Sequence, residues 1–505
     1  MEKEITRPMR WFAKSEAPLP SFGPILNSAH IVGALTNLRE QGDGDVLPIP
    51  FEFTRMSSSP KAIQNVLDLQ SSHTFGRPRR FSVIRFPYKS RIVAQLKPAD
   101  SLYADALLLS MANLIEARRR PIKELNVFSN RVDTAGSNSF YLTSDWKGFA
   151  KRGLGLAASH RYALKLDVAN FYPSIPHKYL GELLLGAGVA RPAIQKVLDM
   201  LQVVQDGTFG VPIGPHFSHL LAELSLCQVD DVLSKSGVAF CRFQDDFHIF
   251  TSSVQRADQL TALLDTHLQS NLQTRLNLGK KYLIQSDDYV DSVFGTTNSK
   301  TRDEEIFRAD IVASTDLYLP RPSLEQLQSG RKKYRNFDVS HLLSPYLYNG
   351  APDYETIARL LKMMQFKGVP SGLSFLIQNI GKLLPVVTEV FMYMETVAFM
   401  QKQVTREDLV TLTAWYDTPI IVNSEFLQVL MIRILGKTAN SAFLSRFVGN
   451  LPYITNPGRR ELIAISLERD VLREWATRQE DCASLFDEWA LSALEHAKVE
   501  WALRS

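Results

Sequence analysis

Ten residues in the middle of the chain, Cys241-Arg242-Phe243-Gln244-Asp245-Asp246-Phe247-His248-Ile249-Phe250, leave few folds open. Apolar residues flank the two acids on both sides, in runs short enough for strands, so Asp245 and Asp246 stand at the tight turn of a hairpin. Strands this hydrophobic are buried, and a carboxylate pair emerging from them is both desolvated and self-repelling. A positive charge must neutralise it. Two other pairs lack that setting: Asp230-Asp231 lies in a polar-faced helix and Asp287-Asp288 in an acidic loop, where solvation is explanation enough.

A third carboxylate arrives on its own strand. In Tyr162-Ala163-Leu164-Lys165-Leu166-Asp167-Val168 the alternation ends at Asp167, and Asn170-Phe171-Tyr172-Pro173 then turns into the next helix. Taken singly, Asp167 reads equally well as a capping residue. Taken with the pair, it completes a hard, oxygen-rich set suited to Mg²⁺, which prefers carboxylates plus substrate phosphates to a closed protein cage. Two such ions roughly 3.5–4 Å apart activate an attacking hydroxyl and stabilise a leaving pyrophosphate. Between the acids lies Gly210-Val211-Pro212-Ile213-Gly214-Pro215-His216-Phe217-Ser218, followed by an apolar helix from Leu220 to Val232. Glycine there lets backbone lie close to a ligand, although a purely structural loop needs the same residues.

Size and composition limit the alternatives. At roughly 150 residues per domain, 505 residues make two to four domains. With 45% hydrophobic and 22% charged residues the chain is an ordinary globular one, which excludes disordered, collagen-like and coiled-coil classes. The most apolar stretch, Leu383 to Met400, carries Pro385, Glu389 and Glu395, so no membrane span is expected. The first residues, MEKEITRPMRWF, lack the apolar run of a signal peptide. Cys227, Cys241 and Cys482 suit neither a zinc site nor a disulfide framework, and a reducing cytoplasm is expected. The net charge of +4 names no partner, but Arg77 to Ala99 holds seven bases and no acid. That run is either a solvated face or a phosphate-binding surface.

The chain divides into an N-terminal extension (1–75), with one short apolar pattern at Ile63, Val66 and Leu67, and a mixed region (76–310). Strands are expected over Phe81–Leu96, a helix over Ser101–Arg120, and a strand–helix–helix–hairpin order from Tyr162 to Phe250. A linker (311–340) leads to a region (341–505) read as helices Tyr354–Gln365, Leu373–Lys382, Val387–Lys402, Arg406–Trp415, Asn423–Leu435 and Leu485–Leu503. No fixed period runs through them, so stacked hairpins and an ordinary bundle both remain open.

In order, these motifs resemble those of reverse transcriptases. LDVANFYPSI looks like their first palm motif, GVPIGPHFSHLLAEL like the loop-helix that follows, and FQDD like their [FY]-x-D-D turn. Leu276-Asn277-Leu278-Gly279-Lys280 is similar to their LNxxKT segment, FPYKSRIV to the fingers motif, and Asn126-Val127-Phe128-Ser129-Asn130-Arg131 to the segment after it. The resemblance spans roughly residues 80 to 285. Ile213 stands where retrons and group II intron proteins have glutamine, no VTG signature follows Leu283, and nuclease and zinc-ribbon motifs are lacking. The outline looks most like the AbiK-like abortive-infection reverse transcriptases, in particular their prophage-encoded relatives.

That resemblance implies an α+β fold, with a fingers-palm domain followed by an all-α, HEAT-like helical-repeat domain. It implies a cytoplasmic bacterial antiphage enzyme that makes DNA from dNTPs without a template, primed from a protein hydroxyl. The product would be single-stranded DNA attached to the protein, and the assembly a trimer or hexamer. Asp167, Asp245 and Asp246 would hold Mg²⁺ or Mn²⁺, with Lys280 donating a proton to pyrophosphate. Lys89 and Arg91 would clamp the triphosphate. Phe171, Tyr172, Gly214, Pro215 and Ser218 would contact substrate, Tyr172 as sugar selector. The priming group is left unassigned. No tyrosine precedes Tyr88, so the extension supplies none, and Tyr346, Tyr348, Tyr393 or a serine or threonine remain. Two other readings are a templated retron-like or intron-like polymerase, and a nucleic-acid-binding scaffold whose palm has lost activity.

Overall fold

The computed structural model describes residues 26–44, 46–50, 73–86, 89–132, 145–289, 324–348, 350–398, 404–449 and 454–468, with Phe53, Gln64, Leu67, Asp68 and Phe140 besides. The expectations for Ile63, Val66 and Leu485–Leu503, for Tyr88 and for the first part of the linker, 311–323, lie outside the described residues.

Mixed helix and sheet are both present, as an α+β class requires. Two strands, β1 (Arg79–Arg85) and β2 (Lys89–Gln95), form an antiparallel hairpin. Four more, β3 (Tyr162–Asp167), β4 (Ala239–Phe243), β5 (Asp246–Thr251) and β6 (Tyr282–Gln285), make an antiparallel sheet in the order β4-β5-β3-β6. Side chains alternate across it. Leu164, Leu166, Phe240, Phe247 and Ile249 enter the larger core, whereas Ala163, Cys241, Phe243 and Phe250 enter a smaller one on the opposite face. By the same period Arg242 faces the larger core, and Lys165, Asp167, Asp246 and His248 share the other face.

Among the described residues, seven helices of ten residues or more surround these strands: α1 (Ser28–Gln41), α2 (Pro98–Arg118), α3 (Trp146–Ala157), α4 (His177–Gly186), α5 (Arg191–Gln205), α6 (Phe217–Lys235) and α7 (Val254–Leu272). Proline at its first turn opens α2, and Ser253 caps α7 by accepting from Arg256 N. α1 was not among the expected elements. Its Ile31, Ala34, Leu35 and Leu38, at helical spacing, pack on α2 in the larger core. The 19-residue α6, about five turns, runs through that core and is the expected helix after the palm loop, longer at both ends.

The C-terminal region comprises α8 (Leu324–Lys333), α9 (Val339–Tyr348), α10 (Tyr354–Lys367), α11 (Leu373–Gln378), α12 (Val387–Ala398), α13 (Arg406–Tyr416), α14 (Glu425–Thr438), α15 (Ser441–Gly449) and α16 (Asn456–Glu468). Asp353 caps α10 and Gly368 ends it at φ 61°, a left-handed position that spares glycine the Cβ clash. α10 packs on α12, α12 on α14 and α14 on α16, while α11 packs on α13. Their shared core also takes in Leu47, Phe81, Val83 and Val93, so the β1–β2 hairpin is buried against these helices rather than against the sheet. Arg85 reaches Glu389 at 3.2 Å, and Arg433 donates to the Ile49 carbonyl at 2.6 Å.

The loop between α5 and α6 links the hairpin to the sheet. Val211 N donates to Tyr172 O at 2.8 Å, Gly210 N to Ile175 O at 2.8 Å and Ala94 N to Ile213 O at 2.8 Å. Gly214, at φ 118°, lies so near β2 that a Cβ would stand 2.8 Å from Val93 Cγ1 and 2.9 Å from Ala94 O. Gly214→Ala is therefore expected to cost about 2 kcal/mol or more, through left-handed strain and overpacking together. A denaturant titration checks this: the midpoint should fall while the m-value stays constant.

Candidate active site

Register places the acids. β3 and β5 pair so that Asp167 stands opposite Asp246, and Asp245 sits in the two-residue turn that joins β4 to β5, beside Gln244 at φ 53°. The hairpin and the strand-end acid read from the sequence are thus brought to one end of one sheet. Beyond β3 the chain continues beside residues 274–277: Ala169 N donates to Arg275 O, and Asn277 N to Asp167 O, both at 2.8 Å. That segment delivers two side chains to Asp167. Lys280 Nζ lies 2.9 Å from Oδ1, and Asn277 Nδ2 donates to Oδ2 at 3.0 Å.

The electrostatics are those of an acidic cluster short of positive charge. Burial, and after it the charge of Asp167, push Asp245 up to about 6, against the pull of Lys280 and Arg91. Burial, then Asp245 and Asp167, push Asp246 up to about 7, with Lys280 and Lys165 opposing. Arg91, exposed on β2, therefore acts across the gap from the hairpin to the sheet. Lys165 shares the face of Asp167 and Asp246, and burial lowers its pKa. Lys89 is exposed at the start of β2, facing Arg85 in the ladder.

A divalent ion fits the chemistry of this set: three hard carboxylate donors, two of them with pKa values raised by burial and by one another's charge, which a cation would lower. Among the described residues no three His, Cys, Asp or Glu side chains stand close enough together to clasp an ion as they lie. Asp167 is engaged by Lys280 and would have to exchange that ammonium for the ion.

Several expected contacts fall elsewhere. Phe171 points into the larger core and is only 3% exposed, a packing position. Ser218 is 1% exposed in the first turn of α6, with its hydroxyl turned inward. Gly214 and Pro215 are explained by β2 and by the N-terminal segment, since Pro215 bridges to Gly44 and the glycine admits Val93 and Ala94. Tyr172 remains partly exposed, its hydroxyl 2.6 Å from His219 Nδ1. Of the three named tyrosines, Tyr346 is buried and Tyr393 donates inside the core to the carbonyls of Val369 and Ser371. Tyr348 is exposed, with Lys382 over its ring at 4.2 Å.

Sequence reasoning also missed what braces the turn. Asp230 is not solvated but buried in α6, where it receives a two-pronged contact from Arg242 at 2.8 and 2.6 Å. The same guanidinium donates to Glu223 at 3.1 and 3.0 Å, and its Nη1 to the Gln244 carbonyl at 2.8 Å. Arg119 adds a second cation on Glu223 at 2.8 Å. Burial alone would raise the Glu223 carboxyl, yet Arg242 and Arg119 overcome it and hold it at about 2. The expected motif Asn126–Arg131 lies alongside: Arg242 N donates to Asn126 O, and Arg119 donates to the carbonyls of Ser129 and Asn130. The available signal was the position of Asp230 on α6, on the buried side with Cys227, Val229 and Leu233 rather than on the partly exposed side with Gln228, Asp231 and Lys235.

No protein-family model and no curated protein matches the chain. Among solved structures, telomerase from Candida albicans with a fragment of telomeric RNA overlays at a TM-score of 0.33 and 10% identity, covering 79% of this chain and 68% of that one. Telomerase from Candida tropicalis overlays at 0.33 with such a fragment (12% identity, 77% and 67% covered) and at 0.32 without it (10%, 76% and 69%). Overlap at that level says nothing of what this chain does. No helix of the described residues is long and apolar enough to cross a membrane.

Proposed function

We propose that the chain is a nucleotidyltransferase of the reverse-transcriptase type, with a fingers-palm fold, using Mg²⁺ or Mn²⁺ held by Asp167, Asp245 and Asp246. The observation that carries this is the pairing of Asp167 opposite Asp246, with Asp245 in the adjoining turn and Arg91 facing them from a separate hairpin. The ions, when bound, activate the attacking hydroxyl and offset charge on the leaving pyrophosphate. The chain's own groups do the rest. Arg91 offers a planar fork to phosphate oxygens, Lys89 adds a second cation beside it, and Lys280 holds a proton within reach of the Asp167 carboxylate.

The finer reading is a bacterial abortive-infection enzyme, located in the cytoplasm, that polymerises dNTPs without a template onto one of its own hydroxyls and assembles as a homo-trimer or hexamer. It is supported by the motif pattern and by the helical region, whose alternate helices pack on one another as stacked HEAT-like hairpins do. The test is incubation of the purified protein with each dNTP, with and without a primer-template, followed by intact-mass measurement. Added nucleotide mass on the protein in the absence of template is the expected result. Incorporation only on an added duplex would replace it by a templated polymerase, and none under either condition, with Mg²⁺ or Mn²⁺, would remove the enzyme reading.

Arg91→Ala is expected to raise the apparent Michaelis constant for dNTP, by a charge-assisted pair's worth of about 1.5–3 kcal/mol, with the fold intact. Arg91→Lys should recover only part of it, because a point charge cannot reproduce the fork. Steady-state kinetics over a dNTP series decide it; an unchanged constant returns Arg91 to the solvated face.

A further inference from the structure

Tyr172 is held at both ends. At its backbone, the carbonyl accepts from Val211 N at 2.8 Å, while neighbouring Gly210 N binds Ile175 O and His177 Nε2 meets Gly210 O at 2.7 Å. At its tip, the hydroxyl lies 2.6 Å from Nδ1 of His219, one helical position past buried Ser218 on α6. The two rings are nearly perpendicular, at 89° with centroids 5.8 Å apart, and the edge of Phe171 braces the phenol from a third side at 5.4 Å. With its hydroxyl held by a separate helix, the side chain cannot swing about χ1 without breaking that bond.

We propose that His219 is a positioning residue that holds the Tyr172 side chain in one χ1 rotamer, and thereby sets how strictly the site rejects a ribose. This rests on the reading of Tyr172 as sugar selector in the proposed polymerase. The logic is one of rigidity. A ring that excludes a 2′-hydroxyl by bulk does so only while it stays in place, because a freely turning ring yields to the larger sugar at little cost. His219 reaches the ring from α6, an element separate from the turn that carries Tyr172, so selectivity depends on two segments being kept in register.

The experiment compares Tyr172→Ala, Tyr172→Phe, His219→Leu, His219→Asn and the double variant Tyr172→Phe/His219→Leu. kcat/KM is measured for dATP and for ATP, with thermal melting of each protein. Tyr172→Phe and His219→Leu should each lower the dATP-to-ATP preference roughly fivefold, the worth of one neutral hydrogen bond, mainly by admitting ATP. The double variant should lower it no further, because both changes remove the same bond. His219→Asn, whose amide can stand where Nδ1 stood, should restore most of it, which a merely structural histidine would not show. An unchanged preference in His219→Leu beside a collapsed one in Tyr172→Ala overturns the role of His219 and leaves the selector standing. An unchanged preference in folded Tyr172→Ala overturns the selector, and the inference with it. The metal-site reading is decided separately, on the aspartates.

Discussion

Arg242→Ala is expected to destabilise the protein by about 3–5 kcal/mol, enough to unfold a marginal domain at physiological temperature. The guanidinium is fully buried and lies between Asp230 and Glu223, both 2% exposed or less. Removing it leaves two acids inside α6 facing one remaining cation, Arg119, and strips the Gln244 carbonyl of its donor. Burial works against the charge of Arg242, but its two carboxylate partners more than restore it, so the cation is present across the accessible pH range. Arg242→Lys should be nearly as damaging, since an ammonium cannot serve two carboxylates and a carbonyl in one plane. A urea titration followed by circular dichroism gives the magnitude. A loss under 1 kcal/mol would mean that the network contributes little net stability.

Replacing both Asp245 and Asp246 by alanine should abolish nucleotide incorporation while leaving the protein folded. The fold should survive because among the described residues the two carboxyls make no ion pair, and their mutual repulsion disappears with them. The pH dependence separates this from simple damage. Both acids have folded pKa values raised from the ordinary carboxylate range to about 6 and about 7, so the folded state binds these protons more tightly than the unfolded chain does. Their contribution to stability is therefore full at low pH and is lost as pH rises from about 4 toward 7. In metal-free buffer the melting temperature of the variant, relative to the parent, should climb over that window. Incorporation near the parent's level in a folded double variant would sink the metal-site reading, whereas a flat difference across pH would remove the charge repulsion.

Much of the site could be read in the chain because it depends on period and punctuation. Alternation in Tyr162–Asp167 and in the two arms around Gln244-Asp245 fixes strands, turn and the acids' common end without any knowledge of long-range contacts. What spacing does not carry is direction. Phe171 and Tyr172 are adjacent, yet one enters the core and the other keeps an exposed edge, because Asn170 at φ 52° turns the chain between strand and helix. Nor does spacing carry partnership across segments. Asp230 and Arg242 are separated by the end of a helix and half a hairpin, and a charged residue in a helix is ordinarily solvated, so only the apolar surroundings distinguished this one. α1 was legible by its own periodicity, but nothing in the chain says that it docks on α2.

The β1–β2 hairpin shares its core with α12 and α14, and the acids belong to another core. Arg91 thus stands on a hairpin held from two sides, by the helical region through Phe81, Val83 and Val93 and by the loop before α6 through Ala94, and its distance from the acids depends on both seatings. Exchange of that region for one from another protein could not be neutral, because the new helices would have to offer a matching socket for Phe81, Val83 and Val93 before Arg91 could face Asp245.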